Sequence, residues 1–130
     1  MDETTKKKLI ELSLKVAERA YAPYSKYRVG ATVVDDRGMF YSGCNVENAS
    51  YSLCVCAARS ALVNAVSEGA GKIVGMAILT LDVAGIWSPC GSCRQIICEL
   101  AKDSTILLAD RDGNWKERTA EQLLPGAFTL

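Results

Sequence analysis

The sequence contains no histidine among its 130 residues. Histidine is the side chain that most often acts as a general acid or base near neutral pH, so any proton transfer needs another group. Any metal site must likewise be built from thiolates or carboxylates. The absence of histidine therefore restricts both kinds of chemistry before any motif is considered.

Net charge and long apolar runs are also missing. The 15 basic residues are balanced by 15 acidic ones, which argues against a nucleic acid or another partner bound mainly through phosphates. No apolar run approaches the ~20 residues that a membrane-spanning helix needs, so we expect no membrane partner. The polar segment from Met1 to Lys8 does not resemble a secretory signal, and we expect a cytoplasmic protein.

No repeat, low-complexity segment or linker divides the chain, so residues 1–130 are predicted to form one domain. Periodicity and turn signals predict the following elements. They are a helix at 5–20, strands at 27–34 and 39–46, a helix at 56–68, a strand at 73–81, a helix at 90–102, strands at 105–109 and 115–117, and a short helix from Thr119 through Leu124. This order predicts an α/β fold with a mixed sheet covered by helices.

Cysteine is more frequent than in most chains of this kind, with six residues: Cys44, Cys54, Cys56, Cys90, Cys93 and Cys98. In a cytoplasmic protein with a core of ordinary size, clustered cysteines favour metal binding or catalysis over disulfides. Cys90 and Cys93 are spaced C-x-x-C at the predicted start of a helix, where backbone N–H groups and the helix dipole stabilise thiolates. A redox pair or two core cysteines are the alternatives.

A third thiol joins the C-x-x-C pair in the predicted fold. Cys56 lies at the start of another predicted helix, so two helix N-termini can point at the same place. Three thiolates leave the fourth position of a tetrahedral zinc site open for water. This arrangement is typical of a catalytic zinc site rather than a closed structural one.

Several segments together resemble a known family. They read Asn-Val-Glu-Asn-Ala-Ser-Tyr-Ser at 45–52, Cys-Ala-x-Arg at 56–59 and Pro-Cys-Gly-x-Cys-Arg-Gln at 89–95. With 21–26 and 123–128, which match as well, they resemble the small zinc-dependent cytidine deaminases of pyrimidine salvage. The resemblance implies a three-layer α/β/α cytidine deaminase-like fold with a mixed five-stranded sheet. It also implies a Zn²⁺ cofactor, hydrolytic deamination of cytidine and deoxycytidine, and a homotetramer.

The resemblance also implies a role for each residue of the metal site. Cys56, Cys90 and Cys93 hold zinc, and the fourth ligand is the water that attacks C4 of cytosine. Three thiolates around Zn²⁺ leave a net negative charge, which weakens the pull of the metal on this water. Arg59 is similar to the family arginine that donates to the ligand sulfurs and offsets this charge.

Asn45 and Glu47 resemble the family pair that binds the ribose hydroxyls. They are alternate residues of the predicted second strand, so their side chains point to one face. Tyr27 occupies the position of a pocket aromatic that is commonly phenylalanine in the family, and its hydroxyl is a mild departure from the pattern. A polar, solvent-facing strand end is the alternative for Asn45 and Glu47.

Three further positions are implied by the resemblance. Ala57 and Ser88 lie where the family reads the pyrimidine with backbone groups. Phe128 matches a tail aromatic that reaches the pocket of a neighbouring subunit and stacks on the base. The family pattern gives no ligand role to the other cysteines, which we interpret as small buried apolar residues: Cys44, Cys54 and Cys98.

Ala58 departs from the family motif, which reads Cys-Ala-Glu where this chain reads Cys56-Ala57-Ala58. The family glutamate takes a proton from the zinc-bound water and delivers protons to the substrate. A methyl group cannot do this, and losing a positioned acid–base group costs ~10²–10⁴ in rate. We therefore expect a chain that binds zinc and pyrimidine nucleoside and barely turns the nucleoside over.

Two origins of Ala58 are open, namely an engineered Glu-to-Ala change and a natural nucleoside-binding pseudoenzyme. The intact surroundings of the site favour the engineered change. Other functions also remain as alternatives at this stage. They are deamination of a related base or nucleoside, a nucleoside sensor and a structural zinc module.

Overall fold

The computed structural model describes residues 1–130. Its elements are α1 (Glu3–Ala17), β1 (Val29–Asp35), β2 (Phe40–Cys44), α2 (Ala57–Ser67), β3 (Ile73–Thr80), α3 (Gly91–Leu100), β4 (Thr105–Ala109), β5 (Trp115–Thr119) and α4 (Ala120–Leu123), with a single 3₁₀ turn at Tyr51–Leu53. The strands form one sheet in the order β2-β1-β3-β4-β5. Only β3 and β4 run parallel, and the other neighbours are antiparallel. The predicted mixed five-stranded sheet is confirmed.

Helices cover both faces of this sheet. One core lies between the sheet and α2, α3 and α4, with Leu62, Ile97 and Leu123 among its members. The second core lies on the opposite face, where Leu9 and Ile10 of α1 pack against β3 and β4. The chain therefore has the predicted α/β/α arrangement, and no helix combines the length and apolarity needed to cross a membrane.

The helix α1 begins and ends earlier than its sequence pattern predicts. Asp2 caps the N-terminus because its carboxylate accepts a hydrogen bond from Thr5 N at 2.8 Å. At the other end, the Ala20 N–H donates to Ala17 O, three residues back, instead of to the carbonyl four residues back as in an α-helix. Tyr21 then forms a parallel bridge with Val46. The prediction that the helix reaches Ala20 is wrong because this bridge draws the chain into the sheet region.

The hairpin strands are also shorter than predicted. β1 begins at Val29 rather than at residue 27, after Lys26 adopts a left-handed φ of 67°. β2 ends at Cys44 rather than at Val46, because Val46 leaves the β1–β2 ladder and pairs instead with residues 21 and 55. Because Val46 is bridged to Tyr21 on one side and to Val55 on the other, the backbone of its neighbours Asn45 and Glu47 is held in place.

The two helices that carry the predicted metal ligands begin one residue later than predicted. Cys56 is the N-cap of α2 and Cys90 is the N-cap of α3. Neither sulfur accepts the hydrogen bond from a helix N–H group that an N-cap side chain normally accepts. Both sulfurs therefore remain available for another partner. The capping box predicted from Thr119 and Gln122 is present at the start of α4.

Candidate functional site

The three predicted metal ligands meet at the start of α2 and α3. The Sγ atoms of Cys56, Cys90 and Cys93 all lie within 4.8 Å of one another, and the Cys56 and Cys90 sulfurs are 3.9 Å apart. Tetrahedral Zn²⁺ with bonds of about 2.3 Å holds its sulfurs about 3.8 Å apart. The donor set and its spacing therefore fit zinc, and they involve a third thiol that a two-cysteine redox pair does not need.

The electrostatics of the three thiols favour one thiolate, on Cys56, that accepts hydrogen bonds from the other two thiols. A hydrogen bond from Cys93 lowers the pKa of Cys56 to about 6, and Cys90 and the charge of Arg59 act in the same direction, while burial opposes them. The pKa of Cys93 is raised, because this thiol donates to Cys56 and is buried. Negative charge thus concentrates on Cys56, at the positive N-terminus of α2.

Arg59 does not make the contact that the resemblance implies. Its Nη2 donates to the carbonyl oxygen of Cys54 at 3.5 Å, and no hydrogen bond joins it to a ligand sulfur. The side chain acts on Cys56 only through its charge. The hydrogen bonds from Arg59 to zinc-bound sulfurs that the resemblance implies stay a prediction.

A cavity of about 390 Å³ opens beside the thiols. Its walls include every predicted substrate residue except the tail aromatic: Tyr27, Asn45, Glu47, Ala57 and Ser88. All three thiol residues line it too. Pockets for small molecules commonly have this size and a mostly apolar wall with a few polar groups. The structure thus brings these residues together, and their individual roles in binding stay predictions.

Asn45 and Glu47 both face the cavity, although they lie beyond β2 rather than on it. Asn45 Oδ1 accepts from Val29 N at 2.8 Å, and its Nδ2 donates to Tyr27 O at 2.8 Å. Asn45 therefore ties its own segment to the start of β1. These two bonds hold the Asn45 side chain at the cavity although the residue lies beyond the end of β2.

Glu47 is held in its charged form by the turn before β1. Its Oε1 accepts from the N–H groups of Tyr24 and Ser25 at 3.0 and 3.1 Å, and its Oε2 accepts from the Ser25 hydroxyl. The Ser25 hydroxyl is the main cause of the lowered pKa of Glu47, with both N–H groups contributing. An ionised carboxylate is an acceptor for donors on a bound molecule.

Ala58 is the second residue of α2, between Ala57, which lines the cavity, and Arg59. Its methyl group is 0% exposed and belongs to the core between α2 and the sheet. The chain therefore places no proton-transfer group at this position. Neither is there a histidine elsewhere that could reach the cavity.

Phe128 lies outside the cavity of its own chain. Its ring is 69% exposed, while its backbone is held by Gln95, whose Nε2 donates to Phe128 O at 3.1 Å and whose Oε1 accepts from Phe128 N at 3.3 Å. The side chain of Gln95 thus pairs with the tail like a second strand. The predicted stacking of Phe128 on a base in the cavity of a neighbouring copy stays a prediction.

Two residues of the site were not predicted from the sequence. Trp87 lines the cavity and packs on Tyr27, but no local motif marks it. For Arg94, the signal in the sequence was its position directly after Cys93 in segment 89–95, which resembles the family. Its guanidinium donates to Pro89 O at 2.9 Å, to Leu123 O at 2.6 Å and to the Ser88 hydroxyl. Arg94 therefore fixes the loop that precedes α3.

Comparison with known proteins agrees with this geometry. Residues 3–109 match the family described as cytidine and deoxycytidylate deaminase zinc-binding region. Among curated relatives, the cytidine deaminase of Sporosarcina psychrophila is 45% identical over 94% of this chain and 90% of its own length. That of Halalkalibacterium halodurans is 43% identical over 93% of this chain and 92% of its own.

Solved structures show the same similarity. The crystal structure of cytidine deaminase from Burkholderia pseudomallei superposes with a TM-score of 0.89 at 40% identity, covering 98% of this chain and 100% of that one. The Mycobacterium tuberculosis cytidine deaminase gives 0.81 at 34% identity, covering 95% and 96%. On the matched family region, these relatives and the three grouped thiols, this chain belongs to the zinc-binding cytidine and deoxycytidylate deaminase family.

Proposed function

We propose that this chain carries the site of a zinc-dependent hydrolytic deaminase of cytidine and deoxycytidine, which serves pyrimidine salvage. We further propose that Ala58 leaves the site able to bind zinc and nucleoside and nearly unable to convert the nucleoside. One observation carries this proposal. Three thiols lie at one part of a cavity that also holds Asn45 and Glu47, and the position expected to move protons bears a methyl group.

Most of the machinery for binding and orientation is supplied by the chain itself. The charged Glu47 and Asn45 face the part of the cavity where sugar hydroxyls are proposed to bind. Ala57 and Ser88 present backbone groups to the proposed base position, and Arg94 fixes Ser88. A zinc ion held by the three thiolates would supply a Lewis acid that makes a water nucleophilic near neutral pH. The missing part is the proton carrier.

A glutamate at position 58 would suit that missing role. The position lies in the first turn of α2, where the helix dipole stabilises a carboxylate. The site is buried, and burial raises the pKa of a carboxyl group toward the range in which it can both accept and donate a proton. An alanine removes these transfers and leaves the thiols in place.

The test is deamination of cytidine, followed by ultraviolet absorbance, with the zinc-loaded chain and its Ala58→Glu variant. We expect the glutamate to raise the rate by ~10³ or more, because one group serves several proton transfers. Ala58→Gln is the matched control, since it has the same shape without the ionisable group. It should stay as slow as the unaltered chain.

The other outcomes separate the alternatives. Tight nucleoside binding without turnover in Ala58→Glu would support a nucleoside-binding pseudoenzyme or sensor. Zinc binding without any nucleoside binding would support a structural zinc module, and turnover of a different nucleoside would move the substrate assignment. Brisk turnover by the chain as it stands would contradict the role given to position 58.

The origin of Ala58 and the assembly state are part of the same proposal. The retained thiols, the cavity and the ionised Glu47 favour an engineered Glu-to-Ala change over a natural loss of function. The exposed Phe128, held away from its own cavity, supports a homotetramer in which the ring serves a neighbouring copy. A stable monomer in gel filtration would contradict the tetramer. A cytoplasmic location remains our expectation.

A further inference from the structure

We infer that Trp87 is a substrate-contacting residue, and that its indole ring forms, together with Tyr27, an aromatic wall against which the base of a bound pyrimidine nucleoside packs. The inference rests on the proposed function, because it takes a nucleoside as the occupant of the cavity. It adds a residue for which the sequence offered no motif.

The two rings make a wall rather than a piece of the core. Their centroids are 4.9 Å apart with planes tilted by 57°, within the usual range for a favourable aromatic pair. Each residue is still 41% exposed, and both line the cavity. Large aromatic surface that stays open inside a pocket is available to a planar ligand.

The wall lies between the two parts of the cavity that a nucleoside must reach. Tyr27 is joined to one part, since its carbonyl oxygen accepts from Asn45 Nδ2 at 2.8 Å. Trp87 precedes Cys90 by three residues and lines the same cavity as the thiols. An occupant with its hydroxyls at Asn45 and its reacting carbon at the thiols has its planar ring beside these two side chains.

A charged pair holds the two segments that carry the rings. Arg28 follows Tyr27, and Asp82 is the second residue of the loop that leads from β3 to Trp87. Arg28 Nε and Nη2 donate to Asp82 Oδ2 and Oδ1 at 3.0 and 2.8 Å, and Arg28 N also donates to Oδ2 at 2.8 Å. Such a bidentate pair fixes orientation as well as distance, so Arg28 and Asp82 are positioning residues for the wall.

Tryptophan fluorescence tests the contact directly, because the chain has two tryptophans. Trp115 lies on β5 and packs with the core on the α1 face of the sheet, away from the cavity. In zinc-loaded Trp115→Phe, Trp87 is the single tryptophan, and adding cytidine should change its emission with a saturable dependence. In Trp87→Phe, the emission of Trp115 should not respond.

Affinity measured by calorimetry gives a second readout on the same zinc-loaded protein. Trp87→Ala should weaken cytidine and deoxycytidine binding alike, by about 5- to 150-fold, the range found for removing an aromatic that stacks on a base. Trp87→Phe should keep most of the affinity, which distinguishes loss of the ring from misfolding of the loop. The ratio between the two nucleosides should not change, because the wall faces the base and not the sugar.

The failures of this inference and of the proposed function are distinguishable. Cytidine that binds with unchanged affinity to Trp87→Ala, without any change in Trp87 emission, would overturn the role of Trp87 and leave the proposed function intact. If cytidine fails to bind even to the zinc-loaded chain with both tryptophans, the proposed function fails and this inference fails with it.

Discussion

Gly43 is the point at which the sheet fixes the position of the helix that carries Cys56. β2 packs so closely on α2 that a Cβ at residue 43 would collide with the backbone nitrogen of Ala61 and lie 2.7 Å from the carbonyl carbon of Ser60. Ordinary contacts of a Cβ begin at 3.4 Å. Because the obstacles are backbone atoms, Gly43→Ala must move α2 by more than half an ångström.

A movement of this size matters at the metal site. Cys56 caps α2 and Cys90 caps α3, and their sulfurs are 3.9 Å apart. Metal–ligand distances tolerate about ±0.2 Å. We expect zinc affinity to fall by at least the 10–100-fold that follows when the support of a metal ligand is removed. Overpacking should also lower the free energy of unfolding by about 1–3 kcal/mol.

Gly30→Ala is the matched control. There a Cβ would collide with the carbonyl oxygen of Ser13 and lie 2.9 Å from Ala17 N, so the helix that must move is α1. That helix covers the other face of the sheet and carries no residue of the site. A similar loss of stability is expected, with zinc affinity unchanged.

Two measurements decide the comparison between the glycine variants. Competition with a chromophoric chelator gives the zinc affinity, and urea unfolding in EDTA gives the stability of the metal-free fold. If Gly43→Ala binds zinc as tightly as the parent, or if Gly30→Ala loses as much affinity, the sheet does not position the ligand helix as argued.

Two further predictions concern the thiols and a buried carboxylate. Cys90→Ser should lose bound zinc, as measured by metal analysis after desalting. Cys98→Ser should keep its zinc, because the thiol of Cys98 donates to a backbone carbonyl away from the three grouped thiols. The opposite pattern would contradict the ligand set. Burial alone would raise the pKa of Asp35, but backbone N–H groups of Gly71, Met39 and Arg37 lower it to about 2. Its contribution is therefore complete above the unfolded pKa of 3.8 and is lost as the pH falls through 2. In urea unfolding, the stability difference between the parent and Asp35→Asn should shrink between pH 4 and pH 2; a constant difference would show that the charge is not the cause.

The group of three thiols that could hold a metal could be predicted from the sequence because local signals specify it. A C-x-x-C pair at a helix start and a third cysteine at another helix start need only two helices whose N-termini meet, and Cys90, Cys93 and Cys56 meet as predicted. The predicted contact of Arg59 with the sulfurs stays a prediction. Helical spacing places Arg59 on the correct face, but its long side chain has a nearby carbonyl of Cys54 as an alternative acceptor.

The ends of elements were less predictable, because tertiary bridges decide them. Periodicity extends α1 to Ala20, whereas the bridge between Tyr21 and Val46 ends it earlier. The same bridge shortens β2, since Val46 cannot stay in the hairpin ladder while it pairs with residues 21 and 55. These pairings join segments far apart in the sequence, so no local pattern signals them.

The pairing of β1 with β3 explains how the site comes together at one end of the sheet. These strands are antiparallel, with Val29 opposite Thr80, so the segment entering β1 and the segment leaving β3 lie side by side. The first segment carries Tyr27, and the second runs through Trp87 to Cys90. A sequence that predicts both strands without their pairing cannot predict that the two aromatic residues meet. Once the pairing is known, Trp87 must lie near both Tyr27 and Cys90, because the loop that carries Trp87 continues to Cys90 at the start of α3.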